Sequence, residues 1–171
     1  MSRIMMAIAL TACSNSTKDS AAEWGDPCEP GSETQLEIGH GELRFESIDS
    51  VDTQVELVHG PQGGYHSNIA LRAMYIDPDA TYKLELSGTI EGTVLGETVP
   101  WLNFRCSRAA NALQSTGSFL IWDAQPEELH GKVAQVRADL YQPEEDLSDD
   151  ELANPVASAT TEYTIWDPTL E

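Results

Sequence analysis

Four histidines and one dense run of acids are the side chains of this 171-residue chain best suited to chemistry. His59 and His66 bracket the segment His59-Gly60-Pro61-Gln62-Gly63-Gly64-Tyr65-His66. Two imidazoles across a hairpin suit Zn²⁺ or Cu²⁺, with His40 or Asp52 as a third ligand. Glu144, Glu145, Asp146, Asp149, Asp150 and Glu151 gather carboxylate oxygens of the kind that hold Ca²⁺, and Asp146, Asp149 and Asp150 are the weak metal candidates among them. Their spacing lacks the alternating ladder and glycine of an EF-hand, which favours a solvated acidic loop. Nucleophilic chemistry has no comparable signal. The chain contains no G-x-S-x-G, H-E-x-x-H or S-x-x-K and no glycine pattern of a nucleotide site. No catalytic residue is assigned, and a hydrolase assembled from distant loops stands as an alternative without a motif.

Whether the two histidines meet depends on strand register. Pro61 fixes one φ and the three glycines permit φ > 0, so residues 60–64 turn sharply between two strands. Setting His59 opposite His66 places Ile69 against Glu56 and Asn68 against Leu57, mixing apolar and polar side chains on each face. Slipping by one sets Tyr65 opposite His59, Ser67 opposite Leu57 and Ile69 opposite Val55. That register keeps Val55, Leu57, Ile69 and Leu71 together and sends the histidines to opposite faces. The favoured reading is therefore a plain turn whose His59, Pro61, Gln62, Tyr65 and His66 form a contact loop, with the metal site as its rival.

The elements that carry these residues read as strands. Tyr82, Leu84, Leu86 and Ile90 alternate with Thr81, Lys83, Glu85, Ser87 and Thr89; Ala134, Val136, Ala138 and Leu140 alternate with Gln135, Arg137 and Asp139. Further strands are expected over Gln35–Ile38, Glu42–Ser47, Gln54–His59, Ser67–Ile76, Gly92–Val99, Trp101–Cys106, Gly117–Trp122 and Ala157–Trp166, separated by turn chemistry such as Asp77-Pro78-Asp79. Helix is limited to Ser107–Leu113 and Pro126–Leu129. Many short strands without a long helical period predict an all-β fold, an antiparallel β-sandwich of immunoglobulin or fibronectin type, with a jelly roll as the alternative. Trp101, Phe104 and Trp122 are expected inside it.

The start of the chain carries a different message. Arg3, the apolar run Ile4 to Leu10 and Leu10-Thr11-Ala12-Cys13 resemble the signal peptide and lipobox of bacterial lipoproteins. The resemblance implies removal of residues 1–12, acylation of Cys13, a polar tether over residues 13–27 and one domain over residues 28–171. Ser14 after the lipidated cysteine implies, by the same resemblance, sorting to the outer membrane. Arg3 leaves with the leader, so eight of the nine basic residues remain against 29 acidic ones, a formal charge of −21. Such a chain repels phosphate backbones, which excludes nucleic acid as a partner. With Cys13 acylated, Cys28 and Cys106 remain, and an oxidising compartment favours their pairing over two free thiols. The bridge closes a loop of about 79 residues, worth about 4 to 5 kcal/mol in the chain-entropy model.

The hairpin adds a second likeness. Its Gly-Pro-Gln-Gly-Gly-aromatic-His run, followed by Ile69-Ala70-Leu71-Arg72, resembles a group of uncharacterised bacterial lipoproteins, a likeness that implies compartment and fold rather than an activity. The reading that unites these features is a lipid-anchored envelope module, non-catalytic and without a cofactor. It is held to the membrane by its anchor and binds an envelope protein or glycan. The alternative is an envelope protein holding Zn, Cu or Ca.

Overall fold

The computed structural model describes residues 26–142 and 154–170. Cys13, the tether up to residue 25 and the acids 144–151, with Asp146, Asp149 and Asp150, lie outside the described residues.

The alternation works as expected where it is cleanest. Strand β5 (Thr81–Ile90) buries Tyr82, Leu84, Leu86 and Ile90, and β10 (Val133–Tyr141) buries Ala134, Val136, Ala138 and Leu140. The two pair antiparallel with Ala138 against Leu86 and Leu140 against Leu84, so small and large side chains share each level. The remaining strands are β1 (Gln35–His40), β2 (Glu46–Ser47), β3 (Gln54–His59), β4 (Tyr65–Met74), β6 (Thr93–Thr98), β7 (Trp101–Asn103), β8 (Arg105–Ser107), β9 (Ala112–Trp122) and β11 (Ala157–Trp166). One helical turn, α1 (Pro126–Leu129), starts at a proline and a capping box from Gln125 and Glu128.

The all-β expectation holds, but the strands form one sheet that closes on itself instead of two stacked sheets. Hydrogen bonding runs β4–β3–β11–β10–β5–β6–β9 and returns to β4, a seven-stranded barrel. An odd ring cannot alternate direction all the way round, and the β3–β11 junction is parallel, with Ile165 opposite Val55. Strand β4 makes closure possible because it is long enough to hold β3 and β1 on one edge and β9 on the other. The immunoglobulin-like and jelly-roll expectations both leave sheet edges that this pairing joins.

Two other expectations are corrected. The segment 107–113 is no helix: β8 ends at Ser107, Ala110 N–H donates to the Ser107 carbonyl and Asn111 at φ 50° reverses the chain into β9. Trp101–Cys106 is two strands, since Phe104 dives into the core (3% exposed) and splits β7, which pairs with β5, from β8, which pairs with β9.

Inside the barrel, Trp122 is buried over two glycines. A Cβ at Gly88 would fall 2.5 Å from the Trp122 ring, and one at Gly96 would fall 3.0 Å from it, so both positions need glycine for close approach. The indole Nε1 donates to Ser67 Oγ at 3.1 Å. Tyr82 packs edge-on against Phe104 and closes its hydroxyl on the Asp77 backbone. Burial pushes the Tyr163 hydroxyl pKa up, against a smaller opposing effect of Ser67. The Cys28–Cys106 disulfide is present, with Cα atoms 5.6 Å apart, and ties the N-terminal segment to β8.

Candidate functional site

The hairpin adopts the register that keeps its apolar residues together: Leu57 faces Ser67, Val58 faces His66 and His59 faces Tyr65. Its five-residue loop is closed by Gly60 N–H to the Gly64 carbonyl at 2.8 Å, with Gly63 at φ 85°. Pro61 and Gln62 are exposed at the tip. His59 and Tyr65 meet edge to face on one side, while His66 lies on the other against Phe119. The two imidazoles therefore do not converge on one ion. His40 sits in β1 opposite Ile69, and Asp52 lies exposed in the turn before β3. Among the described residues no three His, Cys, Asp or Glu side chains gather as a metal site.

His59 instead meets a carboxylate that the sequence did not flag. Asp167, immediately after β11 and fully buried, lies with Oδ2 2.8 Å from His59 Nε2. Its Oδ1 accepts from the backbone N–H and hydroxyl of Thr169 at 2.8 and 2.7 Å. Its own N–H donates to His130 Nδ1 at 3.0 Å, which assigns the His130 proton to Nε2. Burial acts to raise the Asp167 pKa, but the Thr169 hydrogen bonds and then His59 outweigh it and the net shift is downward. This clasp joins the end of β3, the residues after β11 and the residues after α1. A His–Asp pair orients an imidazole as a base, yet a nucleophile must reach the free ring nitrogen. The partners of His59 among the described residues are Asp167 and the Tyr65 ring, and the Thr169 hydroxyl already donates to Asp167.

A second arrangement lies on the opposite edge of β4's other neighbour. Strand β9 is paired on its outer edge by β8 at Ala112 to Gln114 and by β6 only where Gly96 faces Trp122. Between those points the register slips against β4, with Gly117 at φ 80°, a bulge that bends the strand. The Ile121 N–H turns to the Thr98 hydroxyl at 3.1 Å in place of a strand partner. The gap is a groove of about 570 Å³ walled by β7 and β9. Trp101 (60% exposed), Phe119 (45%) and Ile121 (52%) stand around it. Trp101 is thus outside the core in which the sequence placed it. The alternation was legible: Leu102 and Phe104 point in, which sends Trp101 and Asn103 out. His66 backs the groove through its edge contact with Phe119, centroids 4.6 Å apart, and burial lowers its pKa against a weaker opposing effect of Glu42.

The groove differs electrically from the rest of this acidic chain. No carboxylate lines it, and its one cation, exposed Arg105, makes no ion pair among the described residues. The hollow of 690 Å³ beside the disulfide contains Asp26, and those of 450 and 340 Å³ contain Glu162 with Glu91 or Asp49. The hollow at the disulfide is larger than the groove, but its one aromatic ring is the half-buried Tyr75. An aromatic wall with a few polar groups is the usual composition of a ligand site.

No family model and no curated protein matches the chain. Among solved structures, the chain is similar at 10% identity to Bifidobacterium dentium beta-glucuronidase complexed with coumarin-3-O-glucuronide. The match has a TM-score of 0.36 and covers 78% of this chain but 18% of that one. A likeness of that size carries no argument about chemistry.

Proposed function

We propose that the chain is an exported, lipid-anchored, non-catalytic binding module of the bacterial envelope, and that it meets its partner at the groove between β7 and β9. The observation that carries the reading is the cluster of Trp101, Phe119 and Ile121, about half exposed or more around a walled groove. Aromatic side chains left out of a core and gathered at one concavity mark contact surfaces. The Cys28–Cys106 bridge supports the export implied by the lipobox likeness, because such bridges persist in oxidising compartments. The exposed hairpin tip at Pro61 and Gln62 lies on the side of the clasp and becomes a secondary contact.

Both halves of the reading are testable. The natural product should be heavier than residues 13–171 by a diacylglyceryl group, and Cys13→Ser should leave the membrane fraction; retention there would end the anchoring. With the soluble Cys13→Ser protein, sedimentation with isolated cell envelopes should be lost on Trp101→Ala and kept on Glu127→Ala, an exposed position outside both contact surfaces, both variants melting like their parent. Undiminished sedimentation of the Trp101→Ala protein overturns the groove as the contact site.

A further inference from the structure

We infer that the groove takes a saccharide that bears a carboxylate, with a sugar face on the Trp101 ring and the acid group on Arg105. The inference rests on the groove being the contact site and adds the class of ligand. Three features point the same way.

The first is charge. In a chain of net charge −20, the groove has no carboxylate and leaves a guanidinium unpaired. Arg44, Arg72, Lys83, Lys132 and Arg137 each hold a carboxylate, whereas Arg105 faces a groove without one. Its planar fork matches a carboxylate with two parallel hydrogen bonds. A single cation is too little for a polyphosphate chain, which needs several to displace counterions.

The second is the polar lining. Asn103 accepts the Thr81 hydroxyl on Oδ1 at 2.8 Å, which leaves its amide N–H groups to donate outward. Gln114, Ser115 and Thr116 line the same groove. Amides and hydroxyls next to an aromatic wall suit a ligand that is hydroxylated at its rim and hydrocarbon on its face, which describes a pyranose ring.

The third is the frame, which decides between a saccharide and an acidic peptide. An extended peptide would bind by adding a strand to β9, yet β8 already occupies the edge at Ala112 to Gln114. At the other end Thr98 takes the Ile121 N–H, and Gly117 breaks the pleat between them. The open stretch is short, bent and stopped at both ends. A ring-shaped ligand needs no continuous edge.

The experiment uses the full-length Cys13→Ser protein and follows tryptophan fluorescence and calorimetry. The probes are trigalacturonic acid and N-acetylmuramic acid, the methyl ester of each, and triglutamate as the acidic peptide. At least one acid saccharide should bind at sub-millimolar concentration, and its ester should bind about tenfold or more weakly, the value of one charge-assisted pair. Arg105→Gln should bring acid and ester to the same affinity, and Trp101→Ala should abolish both. Equal binding of acid and ester by the parent overturns the role of the carboxylate. Binding of triglutamate alone, lost on Trp101→Ala, overturns the saccharide while leaving the groove as the contact site. If no probe binds, the saccharide is overturned, and envelope sedimentation of the Trp101→Ala protein then decides separately whether the groove fails too.

Discussion

The barrel is held together in two different ways on its two sides. At the parallel junction of β3 and β11, closure is polar and local: a buried carboxylate collects hydrogen bonds from Thr169 and His59, and its N–H reaches His130. At the seam between β9 and the β6–β7 edge, closure is sparse. One bridge pair, Gly96 with Trp122, and the Asp123 N–H to the Leu95 carbonyl at 2.7 Å join the strands, and the disulfide on β8 fixes the far end. On the clasp side the polar groups of Asp167, Thr169, His59 and His130 are spent on one another. The side held by a cystine and a glycine cradle can leave part of an edge unpaired without coming apart, and that is where aromatic rings reach solvent.

If the cystine substitutes for strand pairing at the seam, its loss should produce the largest effect. Cys28→Ser with Cys106→Ser releases a loop with a sequence separation of 78. The chain-entropy model gives about 4.5 kcal/mol for a loop of that length. The denaturant midpoint should fall accordingly, and hydrogen exchange should rise first at β8 and the adjoining end of β9. Protection lost evenly around the barrel would mean that the bridge is not a seam device.

The clasp gives the next largest effect. Asp167→Ala removes the acceptor of three hydrogen bonds, whose donors on exposed Thr169 and half-exposed His59 turn to water, a loss of about 2 kcal/mol by denaturation. The shift of Asp167 adds a sign. Its folded pKa lies below the ordinary value of 3.8, so the unfolded chain takes up the proton first as pH falls. The carboxylate's contribution is complete above that ordinary value and is lost as pH drops through the lower folded one. Asp167→Asn should therefore flatten the acid limb of the stability curve below about pH 4. An acid limb of unchanged slope in the Asn variant would remove the charge from the clasp.

How much of this contrast could be read from the chain depends on sequence distance. The strands β5 and β10 and the hairpin register were legible because each depends on alternation over ten residues or fewer and, for the hairpin, on a five-residue loop. The cystine was legible because two cysteines remained once Cys13 was assigned to lipid. Closure was not, since it depends on β4 meeting β9 and β3 meeting β11 across long separations that periodicity does not report. For the same reason His59 was weighed against His66, its sequence neighbour, while its true partner Asp167 lies 108 residues away. The helix expected over 107–113 does not form because β8 and β9 are paired neighbours, and the chain between them has room only for a reversal at Asn111.

A smaller change addresses the bend itself. Gly117 sits at φ 80°, and a Cβ there would meet the Glu42 carbonyl oxygen at 3.7 Å, an ordinary contact, so Gly117→Ala is opposed by backbone conformation and not by a clash. About 1 to 2 kcal/mol should be lost, because an L side chain disfavours that region. Ligand affinity should fall as well, since the bulge shapes the groove wall; a variant that is destabilised yet binds unchanged would detach the bulge from the site.

The smallest effect on stability should come from the residue with the largest effect on binding. Trp101 is 60% exposed and belongs to a three-residue strand whose inward residue is Leu102, so Trp101→Ala removes little buried area. Surface changes of this kind stay within about 0.5 kcal/mol. Leu102→Ala on the same strand, at 8% exposure, should cost about 2 to 3 kcal/mol and serves as the internal control. The pair separates two explanations of an exposed tryptophan. If its ring mainly shields the core beneath the open seam, the two variants should unfold at similarly reduced denaturant. If it is kept for a ligand, Leu102→Ala should lower stability in proportion to burial, while Trp101→Ala melts like the parent and no longer binds.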